Sequence, residues 1–123
     1  IVDIHILATF VDLLQEKKTA EAIDFLNKNL EKGMDPQEFA KNLVEYLRRM
    51  LILKFNNEIK DTIAPGFTKE QQAKLVEQTK NIEGKFLTGA LKLFMQAEQD
   101  MKYANIIQLP LELAIIESIE KSK

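Results

Sequence analysis

The chain has 123 residues, 46% hydrophobic and 29% charged, with no cysteine and a formal net charge of -2 from 17 basic and 19 acidic residues. That composition excludes a disordered chain and rules out disulfides and thiolate metal sites. It also argues against a nucleic-acid-binding surface, which wants a basic excess on one face. Lys17-Lys18 and Arg48-Arg49 are the only basic doublets, and the other cations are mostly interleaved with acids, as on a solvated mixed-charge surface. No apolar run approaches the ~20 residues that cross a bilayer, and no signal peptide is visible.

The length suits a single core. The chain opens on Ile1 and not on Met, so the expectation is a piece of a longer protein. Leu, Ile, Ala, Lys, Glu and Gln are abundant, and most of these favour helix.

Ile4, Leu7, Ala8, Val11 and Leu14 recur at helical spacing and predict a first helix from about Asp3 to Lys17. Thr19 is the expected cap of a second helix, with Glu21 in its first turn and Ile23, Leu26 and Leu30 on its seam. Gly33 stands where a left-handed residue would end it. The third helix has the clearest start, with Asp35 as N-cap, Pro36 at the first position and Glu38 able to reach back. It should run to Phe55 or Asn56. Its apolar arc, from Phe39 through Leu43, Tyr46 and Met50 to Leu53 and Phe55, is about twice the usual stripe and predicts a hub.

Residues 56–67 have no period, and Pro65-Gly66 marks a turn. Thr68 and Gln71 predict a capping box for a fourth helix. That helix has little beyond Leu75 and Val76 to bury, so it should be the most loosely held. Gly84 weakens helix near the junction with a fifth, expected from about Glu83 to Ala104 on a seam of Phe86, Leu87, Ala90, Leu93, Phe94, Ala97 and Met101.

After a turn at 105–109, the stretch QLPLELAIIESI reads as a sixth helix from Gln108 to Ile119, with Pro110 in its first turn. Ala114, Leu111, Ile115, Ile119 and Ile116 sweep out an apolar arc close to twice the usual width, with Leu113 off it. The fold class is therefore all-α, a bundle of five to six helices with mostly short loops.

No catalytic constellation is legible. His5, the one histidine, has no nucleophile or orienting partner on its face. Glu-x-x-His, calcium-loop and phosphate-loop patterns do not occur. The four methionines form no stripe, and filling core gaps is their default role. Two charges stand within apolar arcs. Lys54 suits a snorkelling cation in the last turn of its helix, and Glu112 suits a first-turn acid at N3. An ion pair, within the chain or across an interface, is the alternative for each.

Several segments together carry a resemblance. AEAIDFLNKNLEKGMDPQEFAKNLVEYLRRMLILKF is followed by TKEQQAKLVEQ and then by LKLFMQAEQDMKYANIIQLPLELAIIESI. The most specific parts are the turn and helix start at Gly33, Asp35, Pro36 and Phe39, and the closing pattern Glu98, Asp100, Lys102, Asn105 and Gln108 to Leu113. In these the chain resembles the third domain of the gamma/tau subunit of bacterial DNA polymerase III, the collar domain of the sliding-clamp loader. It departs from that family at the turn between the first two helices, where EKKT replaces a frequent Gly-Asp turn.

The resemblance implies a cytoplasmic, non-catalytic subunit-assembly domain, one of five related collars that pack in a ring around clamp-loading ATPases during DNA replication. Its partners would be other clamp-loader subunits (gamma/tau, delta and delta prime), with an accessory-subunit peptide as a further candidate, and no direct nucleic-acid or membrane contact. No cofactor is expected in this fragment, because ATP and Mg belong to the ATPase domain, which is absent here. Implied interface residues are Glu98, Lys102 and Tyr103 at the end of the fifth helix, Asn105 and Gln108 in the turn, and Leu109, Glu112, Leu113 and Ile116 on the sixth. The alternatives are an unrelated helical interaction adaptor and the collar of a delta or delta prime subunit.

Overall fold

A computed structural model describes residues 1–123. Six helices follow one another: α1 (Ile4–Gln15), α2 (Thr19–Glu31), α3 (Pro36–Phe55), α4 (Lys69–Asn81), α5 (Gly84–Asp100) and α6 (Leu109–Glu120), with single 3-10 turns at Asn57–Ile59 and Met101–Tyr103. There is no strand. The all-helical reading of the sequence holds.

Local chemistry sets most of the boundaries. Asp35 accepts the Glu38 N–H at 3.2 Å with Pro36 first in the helix, although Glu38 does not return the bond. Thr68 and Gln71 complete both halves of the capping box. Gly33 takes φ +104 and ends α2, with the Met34 N–H reaching back to the Asn29 carbonyl. Other boundaries differ from expectation. Thr19 is not a cap: Lys18 holds that place with no side-chain bond, and the Thr19 hydroxyl points to Glu120 at 3.3 Å. The fifth helix ends at Asp100, not Ala104, and tightens into the 3-10 turn. The sixth runs one residue later than expected at each end.

The turn after α1 departs most from expectation. The first helix stops at Gln15, and Lys17 adopts φ +60, the left-handed conformation that glycine takes without a Cβ penalty. Its ammonium lies 3.3 Å from the centre of the Phe86 ring and donates to Ser122 Oγ at 2.7 Å. Partial burial lowers the Lys17 pKa, and the nearby Glu83 carboxylate opposes that shift. The lysine thus ties the α1–α2 turn to the start of α5 and the end of α6.

The core is one cluster of buried side chains from all six helices. Phe10 sits at its centre, edge-on to Phe39 at 5.1 Å and Phe94 at 6.0 Å. α3 is the hub, as its wide arc predicts, and packs on α5, α4 and α1. Phe55, at the end of that arc, is exposed.

α4 is held in a way that its apolar residues do not announce. Leu75 is buried, and so are Gln78 and Thr79. The Gln78 amide donates to the Ala8 carbonyl at 2.8 Å and to Asp12 Oδ1 at 2.9 Å, while the Tyr46 hydroxyl donates to its oxygen. Lys74 pairs with the other Asp12 oxygen at 2.8 Å. Burial first, and the Asp12 carboxylate second, push the Tyr46 pKa well above the usual tyrosine range. One amide therefore ties α1, α3 and α4, where loose packing was expected. Lys54 adds a further hold: it donates to the Thr79 and Ile82 carbonyls at 3.1 and 2.6 Å. It is neither a simple snorkelling cation nor an ion pair. It caps the negative end of α4.

Candidate subunit-assembly face

α6 buries Leu111, Ala114, Ile115, Ser118 and Ile119 against α5, α2 and α1. These positions span one side of the 3.6-residue wheel. Leu109, Leu113 and Ile116, spaced four and three apart, fall on the opposite side and face outward. Of the wide arc seen in the sequence only Ile116, at its edge, faces outward; with Leu109 and Leu113, which lie outside that arc, it makes a separate outer stripe.

Eight large apolar side chains in the chain are exposed, and five of them are Tyr103, Ile106, Leu109, Leu113 and Ile116. They expose between 40% and 89% of their surface. Scattered exposed hydrophobics need no explanation, but a contiguous set does. This set borders an open groove of about 640 Å³ between the end of α5 and the start of α6. Leu93 and Ala97 form the α5 wall, Tyr103 to Ile106 close one end, and Leu109 and Leu113 form the α6 wall. Asp100 and Glu117 are the charged residues of the lining, and no lysine or arginine lines it.

Of the residues implied from the sequence, the structure brings Tyr103, Asn105, Leu109 and Leu113 together in this groove. Ile116 continues the outer stripe of α6 beyond it. Lys102 is exposed beside the groove and donates to Gln99 at 3.2 Å. Gln108 holds the N-cap place of α6 in helical conformation, without a side-chain cap bond. Glu98 is half-buried, roughly 100° and 140° round α5 from Ala97 and Leu93, and does not line the groove. Glu112 also departs from expectation. It stands at the fourth helical position, and its carboxylate accepts from the Asn27 amide of α2 at 2.9 Å. It is thus a link within the fold and neither an N3 acid nor half of an ion pair.

The groove contains residues that sequence reasoning missed. The sequence places Ile106 only in a turn and Leu93 on the core seam. The missed signal is the proximity of Tyr103, Ile106 and Leu109, an apolar spacing of three that continues from the 3-10 turn into α6. His5 is exposed, and its backbone N–H is bound by the Asp3 cap at 2.8 Å.

The chain is 25% identical over 109 residues to DNA polymerase III subunit tau of Bacillus subtilis (strain 168), a match covering 89% of this chain and 19% of that protein. It thus spans about a fifth of the length of that relative. The family described as DNA polymerase III subunits gamma and tau domain III matches residues 1–123. A helical fold whose sequence fits that family from end to end places this chain in it: it belongs to the gamma and tau domain III family of DNA polymerase III subunits.

Proposed function

We propose that this chain is a single helical collar domain that holds subunits of a DNA polymerase III clamp loader together, with no reaction of its own. The partners are other clamp-loader subunits, met through the outer stripe of α6 and the groove beside it. ATP and Mg chemistry would reside in other domains of the subunit, and the setting is the cytoplasm. The observation that carries this reading is the concentration of five exposed large apolar side chains between Tyr103 and Ile116, three of them on α6, whose other side already fills the core.

Magnitudes limit what this face does alone. One helix face supplies about 300 Å², roughly 7 kcal/mol gross at ~25 cal/mol per Å². Association costs ~4–15 kcal/mol, and a standard interface buries ~800 Å² per partner. The isolated domain should therefore be a monomer or a weak dimer. A tight pentamer of this fragment in sedimentation would contradict that.

Leu113→Arg in the full subunit tests the assignment. The expected result is assembly lost while unfolding stability of the domain changes by no more than about 0.5 kcal/mol. A loss of stability of about 2 kcal/mol or more would make Leu113 a core residue, and unaltered assembly would remove it from the interface. Either result overturns the proposal.

A further inference from the structure

α6 is apolar on nearly every side. Leu111, Ala114, Ile115, Ser118 and Ile119 face the core, while Leu109, Leu113 and Ile116 face outward. At about 100° per residue, Ile116 stands only about 60° round the helix from Ile119, and Glu112 lies between them. A turn of α6 by about 60° would carry Ile116 into the core and bring out Ala114 and Ser118. That exchange buries an isoleucine in place of an alanine and a serine, so apolar burial by itself does not oppose it. It would also carry the Glu112 carboxylate inward, where a charge without a partner is costly.

In its actual place Glu112 is half-buried and accepts from the Asn27 amide of α2 at 2.9 Å. The same amide donates to the Ile23 carbonyl at 3.1 Å, which fixes Asn27 on its own helix. Two further links join these elements. The Thr19 hydroxyl donates to Glu120 at 3.3 Å and the Lys17 ammonium to Ser122 at 2.7 Å. Asn27 and Thr19 are as far apart along α2 as Glu112 and Glu120 are along α6, and Lys17 and Ser122 continue the same antiparallel register. Ile23 and Ile116 fall midway between the links. The Thr19 and Lys17 links are exposed and lie at the end of α6, whereas the Glu112 link is partly buried and lies beside the outer stripe. Apolar burial is non-directional and a hydrogen bond is not.

We infer that Glu112 is a positioning residue: by holding Asn27 it fixes the rotation of α6 on α2, and so determines that Leu109, Leu113 and Ile116 face the partner. This rests on the assembly reading above and adds what orients the assembly face.

Thiol reactivity tests the rotation, since the chain contains no cysteine of its own. Ser118→Cys reports the inner side of α6, and Ala40→Cys, fully buried on α3, reports general opening of the core. Adding Glu112→Leu should speed maleimide reaction at residue 118 on the order of tenfold, the equivalent of one hydrogen bond to a charged group. Residue 40 should keep its rate, and Glu112→Gln, which still accepts from Asn27, should leave both rates as they were. No change at residue 118, an equal rise at both positions, or a Gln variant that behaves as the Leu variant overturns the inference. Asn27→Leu removes the same bond from the other side. If neither Leu variant folds, the bond holds the fold and not the rotation, which also overturns it.

Self-association of the full subunit separates this inference from the reading on which it rests. Glu112→Leu should weaken it on the order of tenfold, and Glu112→Gln should not. Faster reaction at residue 118 with unaltered association leaves the positioning role standing and removes this face from assembly. Weaker association with no change at residue 118 overturns the positioning role and makes Glu112 itself an interface contact.

Discussion

α4 and α6 flank the central α3–α5 pair, α4 on α3 and α6 on α5, and are held there by opposite means. α6 buries a full apolar stripe and has another left over on its outer side. α4 buries one leucine, and is fixed by a glutamine amide, a lysine on its terminal carbonyls and an ion pair to α1. An edge helix can thus be held with few hydrophobics, provided that every buried polar atom finds a partner. The surplus on α6 is then not explained by the need to attach it.

The largest effect that tests this contrast is Ile115→Ala on the buried side of α6. A fully buried isoleucine reduced to alanine should cost about 2–5 kcal/mol in urea unfolding, against almost nothing for Leu113→Arg on the other side. A similar cost for both would erase the division of α6 into inner and outer stripes.

Next comes Gln78→Leu. Shape is nearly kept, but Tyr46, the Ala8 carbonyl and one Asp12 oxygen lose their shared partner. The expected loss is about 2–3 kcal/mol, and one below about 0.5 kcal/mol would return α4 to the loosely held helix that its sequence suggests.

A third, smaller effect is alkaline. Tyr46 has its folded-state pKa raised, so the folded protein keeps the phenol proton longer than the unfolded chain does. Its contribution is complete below the unfolded value near pH ~10 and is lost as pH rises above it, at up to ~1.4 kcal/mol per pH unit. Denaturation series from pH 8 to 11 should show Tyr46→Phe lacking this part of the decline. Parallel curves for both proteins would mean that the phenol ionises as freely in the fold as outside it.

The smallest expected change is at Lys17. Lys17→Gly relieves left-handed strain of about 1 kcal/mol but gives up the Phe86 contact, itself about 0.5–1 kcal/mol. Thermal melts should agree within the equivalent of about 0.5 kcal/mol. Lys17→Ala keeps the strain and loses the contact, so it should melt lower than either.

Much of this protein follows from its residues in order. Periodicity and caps locate the helices, because a helix start needs only a few neighbouring side chains: Asp35 with Pro36, Thr68 with Gln71. The wide arcs of α3 and α6 likewise announce helices touched on more than one side. Of the groove, Tyr103, Asn105, Leu109 and Leu113 are legible in the sequence, while Glu98 does not line it and Glu112 is bonded to Asn27, a partner that the sequence does not announce.

Tertiary structure alone decided the rest, since each outcome depends on a partner far away along the chain. Gln78 is bonded to residues 66 and 70 positions away, and Glu112 to one 85 away. Which apolar residues of α6 face water also depends on α2 and α5, which cover Leu111, Ala114, Ile115 and Ile119 and leave Leu109, Leu113 and Ile116 outside. A helical wheel ranks the sides of a helix by polarity, but only the packing of its neighbours determines which apolar side remains uncovered.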